Sequence, residues 1–208
     1  MSGGDFPDPN TFYTRTIPDQ FNRILDDQEA RGEAGSRVHR DMLAVNGTIR
    51  IDVRGDDEAT FFLNIEAGRM TPGGAPTHAP FVTVIHGTTA FRRLARQADG
   101  SLTALLGALA GLAGEMKLTR KRKIDMEAVE GLIRFEVTGE NGFSLLTHFG
   151  TGPLPAEPDA TIRMAETSYR DLRTGRLDPQ TAFLEDGIDA EGDMQKVMQL
   201  AFAAVAPD

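Results

Sequence analysis

The side chains able to do covalent chemistry are few and scattered. The chain has no cysteine, which rules out thiolate nucleophiles, thiolate metal sites and a disulfide frame. Its four histidines, His39, His78, His86 and His148, stand at none of the spacings that bring two ring nitrogens onto one metal ion. No serine or carboxylate lies in a recognisable catalytic motif. Thr71-Pro-Gly-Gly74 is glycine-rich but lacks the strand–loop–helix setting and the lysine of a phosphate loop. Neither an enzyme, a cofactor nor a metal site is therefore expected. Two groups remain. Lys117-Leu-Thr-Arg-Lys-Arg-Lys123 is a basic cluster in a chain of net charge −9. It suits an anionic lipid surface, at about 1 kcal/mol per basic residue, or it is a solvated strand or loop. The other group is apolar and soft. Met194 and Met198 share a helical stripe with Val197, Leu200 and Phe202, and methionine, unbranched and polarisable, adapts to varied apolar partners. The chemistry such residues offer is desolvation.

The elements that must position these residues can be read from periodicity. Asp159-Ala-Thr-Ile-Arg-Met-Ala165 alternates, with Ile162 and Met164 on one face of a strand. Thr167 and Ser168 offer a hydroxyl cap to a short helix bearing Tyr169 and Leu172, and Gly175 stops it. Asp178-Pro179-Gln180 starts another helix, with Thr181, Phe183 and Leu184 following. Gly187 to Gly192 reads as a short strand containing Ile188, and Asp193 caps the final helix.

This stretch, with Thr174-Gly-Arg-Leu-Asp-Pro-Gln-Thr-Ala-Phe183 at its centre and Gly-Asp-Met194 opening the last helix, resembles the sterol-carrier-protein family, most clearly over residues 159–203. The resemblance implies a small intracellular α+β domain, a mostly antiparallel sheet covered by helices around an apolar tunnel. It implies non-catalytic binding of a sterol, fatty acid or acyl-CoA. On that basis Phe183, Leu184, Ile188, Met194, Val197 and Met198 are the expected ligand wall, against the alternative of plain core packing. The basic cluster could then also hold an acyl-CoA phosphate.

Upstream, the same order of elements is met once more. Residues 1–16 are proline-rich and polar, an expected loose arm with Phe6, Phe12 and Tyr13 as anchors. Pro18 to Leu43 reads as helix, broken near Gly32 and Gly35. Strands are predicted at Thr48–Arg54, Thr60–Glu66 and Phe81–His86, with a Pro/Gly loop from Met70 to Pro80 and a helix from Thr88-Thr89 carrying Phe91 and Leu94. Gly131-Leu-Ile-Arg-Phe-Glu-Val137 repeats Gly47-Thr-Ile-Arg-Ile-Asp-Val53 at an offset of 84, and Tyr169 and Leu172 follow Phe91 and Leu94 at 78. Asp159–Met164 is aligned with Pro80–Ile85. The pattern points to an internal duplication, with 17–130 as an N-terminal helix and degenerate copy (the repeat itself from 47) and 131–208 as the C-terminal one. Chance similarity of two hairpin–helix units is the alternative.

In the first copy, Ser101 to Gly114 is apolar or small nearly all round. Fourteen helical residues span only about 21 Å, too short for a bilayer. Such a helix is a core element, a tunnel wall or lid, or a contact with a dimer partner or membrane. By mapping through the repeat, Leu102, Leu105, Leu106, Leu109 and Leu112 would line a second cavity or extend the first. The acidic balance argues against a nucleic-acid surface. The N-terminus has no signal-peptide pattern, so a soluble cytoplasmic protein is expected. The expected function is reversible binding of a lipid-like small molecule in an internal apolar cavity, with transient contact of Lys117–Lys123 with anionic membrane and a homodimer left open. The competing expectation is an interaction module with a filled core that supports a partner enzyme.

Overall fold

A computed structural model describes residues 8–55, 58–97, 117–174, 176–177, 181–182 and 187–205. Among the described residues eight strands form one sheet: β1 (Gly47–Arg54), β2 (Ala59–Glu66), β3 (Arg69–Gly73), β4 (Pro80–Gly87), β5 (Gly131–Thr138), β6 (Phe143–Phe149), β7 (Ala160–Ala165) and β8 (Ile188–Gly192). Their order is β3-β2-β1-β4-β6-β5-β7-β8. Only β1–β4 and β5–β7 are parallel; the other neighbours are antiparallel. The α+β class expected from sequence is the class observed. The joint between the halves is the antiparallel pairing of β4 with β6, so the sheet is continuous.

β3 lies where sequence suggested loop. Ala67 and Gly68 both take positive φ, 47° and 75°, the backbone of a tight two-residue hairpin whose twist matches the strands it joins. The chain therefore turns straight back, and Pro72 is tolerated because β3 is an edge strand.

Period-two alternation gives the sheet two unlike faces. Ile49, Ile51, Val53, Leu63, Ile65, Val82, Val84, Ile133, Phe135, Ile162 and Met164 share the apolar face and are buried. The other face carries ion pairs such as Arg50–Asp52 and Arg163 with Glu136, Asp189 and Glu191. Slipping any strand by one residue would exchange the two sets, so the register is strongly specified.

The helices are α1 (Pro9–Thr11), α2 (Ile17–Ala30), α3 (Arg37–Leu43), α4 (Thr88–Gln97), α5 (Arg120–Glu127), α6 (Glu166–Arg173) and α7 (Met194–Val205). A π-helical turn, Phe12–Thr16, joins α1 to α2. Its extra residue shifts the helical face, and consecutive Phe12 and Tyr13 are 1% and 0% exposed. Of the expected anchors, Phe12 and Tyr13 are thus packed into the core while Asp8, Asn10, Thr11 and Arg15 stay exposed; Phe6 lies outside the described residues. Gly32 and Gly35, both at φ 76°, fall between α2 and α3, where a break was expected.

Two local expectations are corrected. The basic stretch is mostly helix: Thr119 Oγ1 accepts the Arg122 N–H and caps α5. Helix α6 begins at Glu166, with Ala165 rather than Thr167 or Ser168 at its N-cap. The Glu166 carboxylate accepts from the Asn141 backbone and side-chain amides, tying α6 to the β5–β6 turn.

The pairing registers of the two halves coincide. Ile51 faces Phe61 on one side and Val84 on the other. Shifted by 84 residues, Ile51 and Phe61 become Phe135 and Leu145, and Val84 shifted by 78 becomes Ile162; those three residues face one another in the same way. The offset for β4 and β7 is therefore 78, one residue from the alignment read in the sequence. The reason is a register shift between Thr48 and Ile49, which face Pro80 and Val82 and skip Phe81, as at a β-bulge.

Candidate functional site: the apolar face of the C-terminal half

Strands β5, β7 and β8 present Ile133, Phe135, Val137, Ile162, Met164 and Ile188 on the apolar face. Helix α6 sets Tyr169 and Leu172 against this face, and Ala182 joins the same core. Phe143 and Tyr169 meet edge to face at 5.5 Å, a favoured ring geometry.

The end of this half where β5 and β7 begin is fixed by one carboxylate. Asp159 Oδ2 accepts the Leu132 N–H at 2.7 Å, and Asp159 N–H donates to the Leu132 carbonyl at 2.7 Å. Lys196 Nζ donates to Asp159 Oδ1 at 2.8 Å and to the Glu130 carbonyl at 2.9 Å. The hydrogen bond from Lys196 holds the Asp159 carboxyl below its ordinary range, against an opposing push from desolvation. Gly131 makes the approach feasible, since a Cβ there would lie 2.6 Å from Lys196 Cδ. Asp193 caps α7 through the Gln195 and Lys196 N–H groups, and its own N–H donates to the Asp159 carbonyl. Strands β5 and β7 and helix α7 are thereby locked at one point. His148, close enough to feel Asp159 and Lys196, is held below its usual value chiefly by burial.

The N-terminal half presents the corresponding face already filled. Tyr13 packs on Phe12, Phe61, His86 and Phe91 with ring centroids 5.1–5.9 Å apart. Its hydroxyl lies 2.6 Å from His86 Nε2. With the Gly87 carbonyl 3.2 Å from His86 Nδ1, the consistent tautomer carries its proton on Nδ1 and accepts from Tyr13. Burial pushes the Tyr13 phenol up and the His86 imidazole down, each toward its neutral form.

The residues singled out from sequence fall into three groups. Ile188 and Val197 are buried in the core. Met194 and Met198 are each 47% exposed and so do not face inward. The helix turns Val197, Leu200 and Ala203 toward the core; Met198, one position past Val197, is rotated about 100° away from that side, and Met194, four positions before Met198, shares its outward face. Phe183, Leu184, Leu102, Leu105, Leu106, Leu109 and Leu112 lie outside the described residues. The Asp159–Lys196 lock and the Tyr13–His86 pair were not anticipated; a histidine inside an otherwise apolar strand was the available signal for the second.

The arrangement defines a small α+β protein with an apolar, helix-covered sheet face and, among the described residues, no cluster of three or more metal-ligating side chains. The SCP-2 sterol transfer family is similar to its C-terminal part: the family's model matches residues 113–204, rather less than half of the chain. Among solved structures, sterol carrier protein 2 from Yarrowia lipolytica in its apo form is similar at 13% identity, over 42% of this chain and 79% of that one, with a TM-score of 0.29. Sterol carrier protein 2 like 2 from Aedes aegypti is similar at 17% identity, over 54% and 94%, with a TM-score of 0.33. The sterol carrier protein domain 2 of Helicoverpa armigera is similar at 16% identity over 99% and 98%, with a TM-score of 0.20. No curated protein matches the chain. Among the described residues no helix is long and apolar enough to cross a membrane.

Proposed function

We propose that the protein binds and transfers an apolar small molecule, with the binding site in its C-terminal half. The observation that carries this reading is the match of residues 113–204 to a sterol transfer family, a segment that contains β5 to β8, α6 and α7. The proposed wall is the apolar face bearing Ile188 together with Val197, Phe183 and Leu184. Residues 102–109 are a proposed extension of it. Binding would be driven by removing apolar ligand surface from water, roughly 25 cal/mol per Å² before ordering costs. Such binding needs few directional contacts. A fatty acyl chain is the proposed ligand class, with sterols and acyl-CoA as the variants to compare.

A second reading is favoured by one observation. The aromatic packing around Tyr13 is what a filled interaction module would show, and it occupies the face of the N-terminal half. The two readings are compatible if one half is scaffold and the other is site. Displacement of a fluorescent fatty-acid probe, beside native mass spectrometry of the freshly purified protein, separates them. Ile188→Asp should weaken probe binding at least tenfold while circular dichroism shows the fold retained. Met198→Asp, on the outer surface, should leave probe affinity unchanged. If the wild type carries no lipid and moves no probe, the carrier reading fails and the module remains.

A further inference from the structure

The apolar face of the sheet holds a hydroxyl that packing does not explain. Thr147 stands in β6, 0% exposed, and its Oγ1 has no hydrogen-bond partner among the described residues. Val84 flanks it on one side and Ile133 on the other, with Ile51 and Ala160 one strand further out. All four are buried. The oxygen thus sits near the middle of the face, beside the joint of the two halves. Taking a hydroxyl out of water without giving it a partner is costly. Valine has almost the same shape and would avoid that cost, so this oxygen calls for a reason.

The equivalent position of the first half carries no such atom. Ile49 faces Leu63, and 84 residues later Ile133 faces Thr147. Leu63 is fully buried hydrocarbon, in the half whose face Tyr13 already fills. Two ammonium groups lie over glycines of this same face, Lys123 over Gly47 and Lys196 over Gly131. Both are paired, with Glu127 and with Asp159, so neither is left to receive a carboxylate. A threonine hydroxyl can donate to a carbonyl and accept from an alcohol. An ionised carboxylate beside it would have one hydrogen bond and no counter-charge, an expensive burial.

We infer that Thr147 Oγ1 binds a neutral polar group of the ligand, a hydroxyl or an ester or thioester carbonyl, and so selects against a free carboxylate of the same chain length. The inference rests on the carrier reading and narrows it. An acyl chain would enter as an ester, a thioester or an alcohol, and a sterol hydroxyl would make the same contact. The polar group would lie at the joint of the halves, with the hydrocarbon running across β5 and β7 toward Ile188. One hydrogen bond inside an apolar site discriminates strongly, because a ligand lacking the group leaves the hydroxyl unpaired.

The test is displacement of the fluorescent fatty-acid probe from the full chain by 1-dodecanol, methyl dodecanoate, dodecanoate and dodecane. The alcohol and the ester should displace it at lower concentrations than dodecanoate does. Thr147→Val should weaken both of them roughly three- to tenfold and leave dodecane unchanged. Thr147→Ser, which keeps the hydroxyl, should keep the preference for alcohol and ester. Without ligand, the urea midpoint of Thr147→Val should hold or rise, since the unpaired oxygen is gone. A midpoint that falls would show that the hydroxyl has a partner within the chain, and the inference would be overturned. Unchanged displacement by the alcohol and ester in Thr147→Val would overturn it too, while leaving the carrier reading intact. A wild type that binds no probe at all would remove both.

Discussion

At the start of β1 and again at the start of β5, a lysine from a neighbouring helix lies across a glycine: Lys123 over Gly47 and Lys196 over Gly131. What each lysine finds beneath it differs. Lys123 sits 5.2 Å from the Phe81 ring centroid, and Lys196 bonds Asp159 at 2.8 Å. Phe81, the residue that the β1–β4 register skips, immediately precedes Val82, and Asp159 immediately precedes Ala160, the counterpart of Val82 under the offset of 78. By the same offset His86 corresponds to Met164 and Phe91 to Tyr169. One framework therefore carries two fillings. The N-terminal half adds a helical segment that lays Phe12 and Tyr13 on its sheet face, whereas the described residues of the C-terminal half hold a single aromatic pair, Phe143 and Tyr169. We propose that these are two copies of one unit, one specialised as a packed scaffold and the other retained as a binding site.

The largest test of that division is removal of the plug. Tyr13→Ala deletes a fully buried ring and leaves His86 without its partner, and should cost about 3–5 kcal/mol in urea unfolding. Tyr13→Phe keeps the ring and should cost about 1–3 kcal/mol, the penalty for an unsatisfied buried acceptor. Probe affinity of the C-terminal site should be unaltered in both. If Tyr13→Ala instead takes up a second equivalent of probe, the first half is a closed site rather than a scaffold, and the comparison must be redrawn.

A smaller effect is expected at the lock. Asp159→Ala removes the acceptor for the Leu132 amide and for Lys196 and should destabilise by about 2 kcal/mol, the usual range for hydrogen bonds to a charged group. Because the folded carboxyl is held below its ordinary value of 3.8, its contribution is complete above that pH and is lost as pH falls through the lower folded value. The variant should therefore lose part of the wild type's destabilisation below about pH 4. In the first half Lys123→Met removes the contact with the Phe81 ring, about 0.5–1 kcal/mol, and a helix ion pair with Glu127 of about 0.3–0.5 kcal/mol, so its acid dependence should be clearly the smaller. Equal acid sensitivity in both variants would erase the distinction between the two lysine sites.

How far sequence reached follows from what kind of signal each feature leaves. Alternation of Ile49, Ile51 and Val53, and of Ile162 and Met164, gave strands and faces directly, because burial on one side imposes a period of two. The sterol-carrier likeness was legible over 159–203 because its capping and turn residues are local. The skipped Phe81 was not legible, since a β-bulge changes which residues face one another without changing composition. Nor was β3, whose hairpin rests on Ala67 at positive φ, a conformation that alanine seldom adopts. Helix α5 was hidden by a charge order that opposes its own dipole. The outward turn of Met194 and Met198 was missed for another reason: the stripe of α7 is apolar over more than half its circumference, and periodicity alone cannot say which part faces in. The first half's filling was out of reach because it depends on Tyr13 meeting His86 across 73 positions.

The remaining prediction separates the halves by pH alone. His86 stands where the second half has Met164, so only the first half has an imidazole at this point of the apolar face. Its neighbours are Tyr13, Phe91 and the Gly87 carbonyl, and burial lowers its value from 6.5. The unfolded chain therefore takes up a proton at a higher pH than the folded protein does. Stability from this group is complete above about 6.5 and falls as pH drops toward the folded value, by at most about 1.4 kcal/mol per pH unit. His148, shifted in the same direction, adds a slope of the same sign from the opposite face of the sheet. Unfolding midpoints in urea between about pH 7 and pH 5 should accordingly decline in the wild type. His148→Gln should remove part of that slope, and His86→Gln should remove another part while lowering stability at neutral pH by loss of its bond to Tyr13. A His86→Gln profile parallel to the wild type's would mean that the folded imidazole already accepts a proton beside Tyr13, and the plug would then be a wetter contact than its packing indicates.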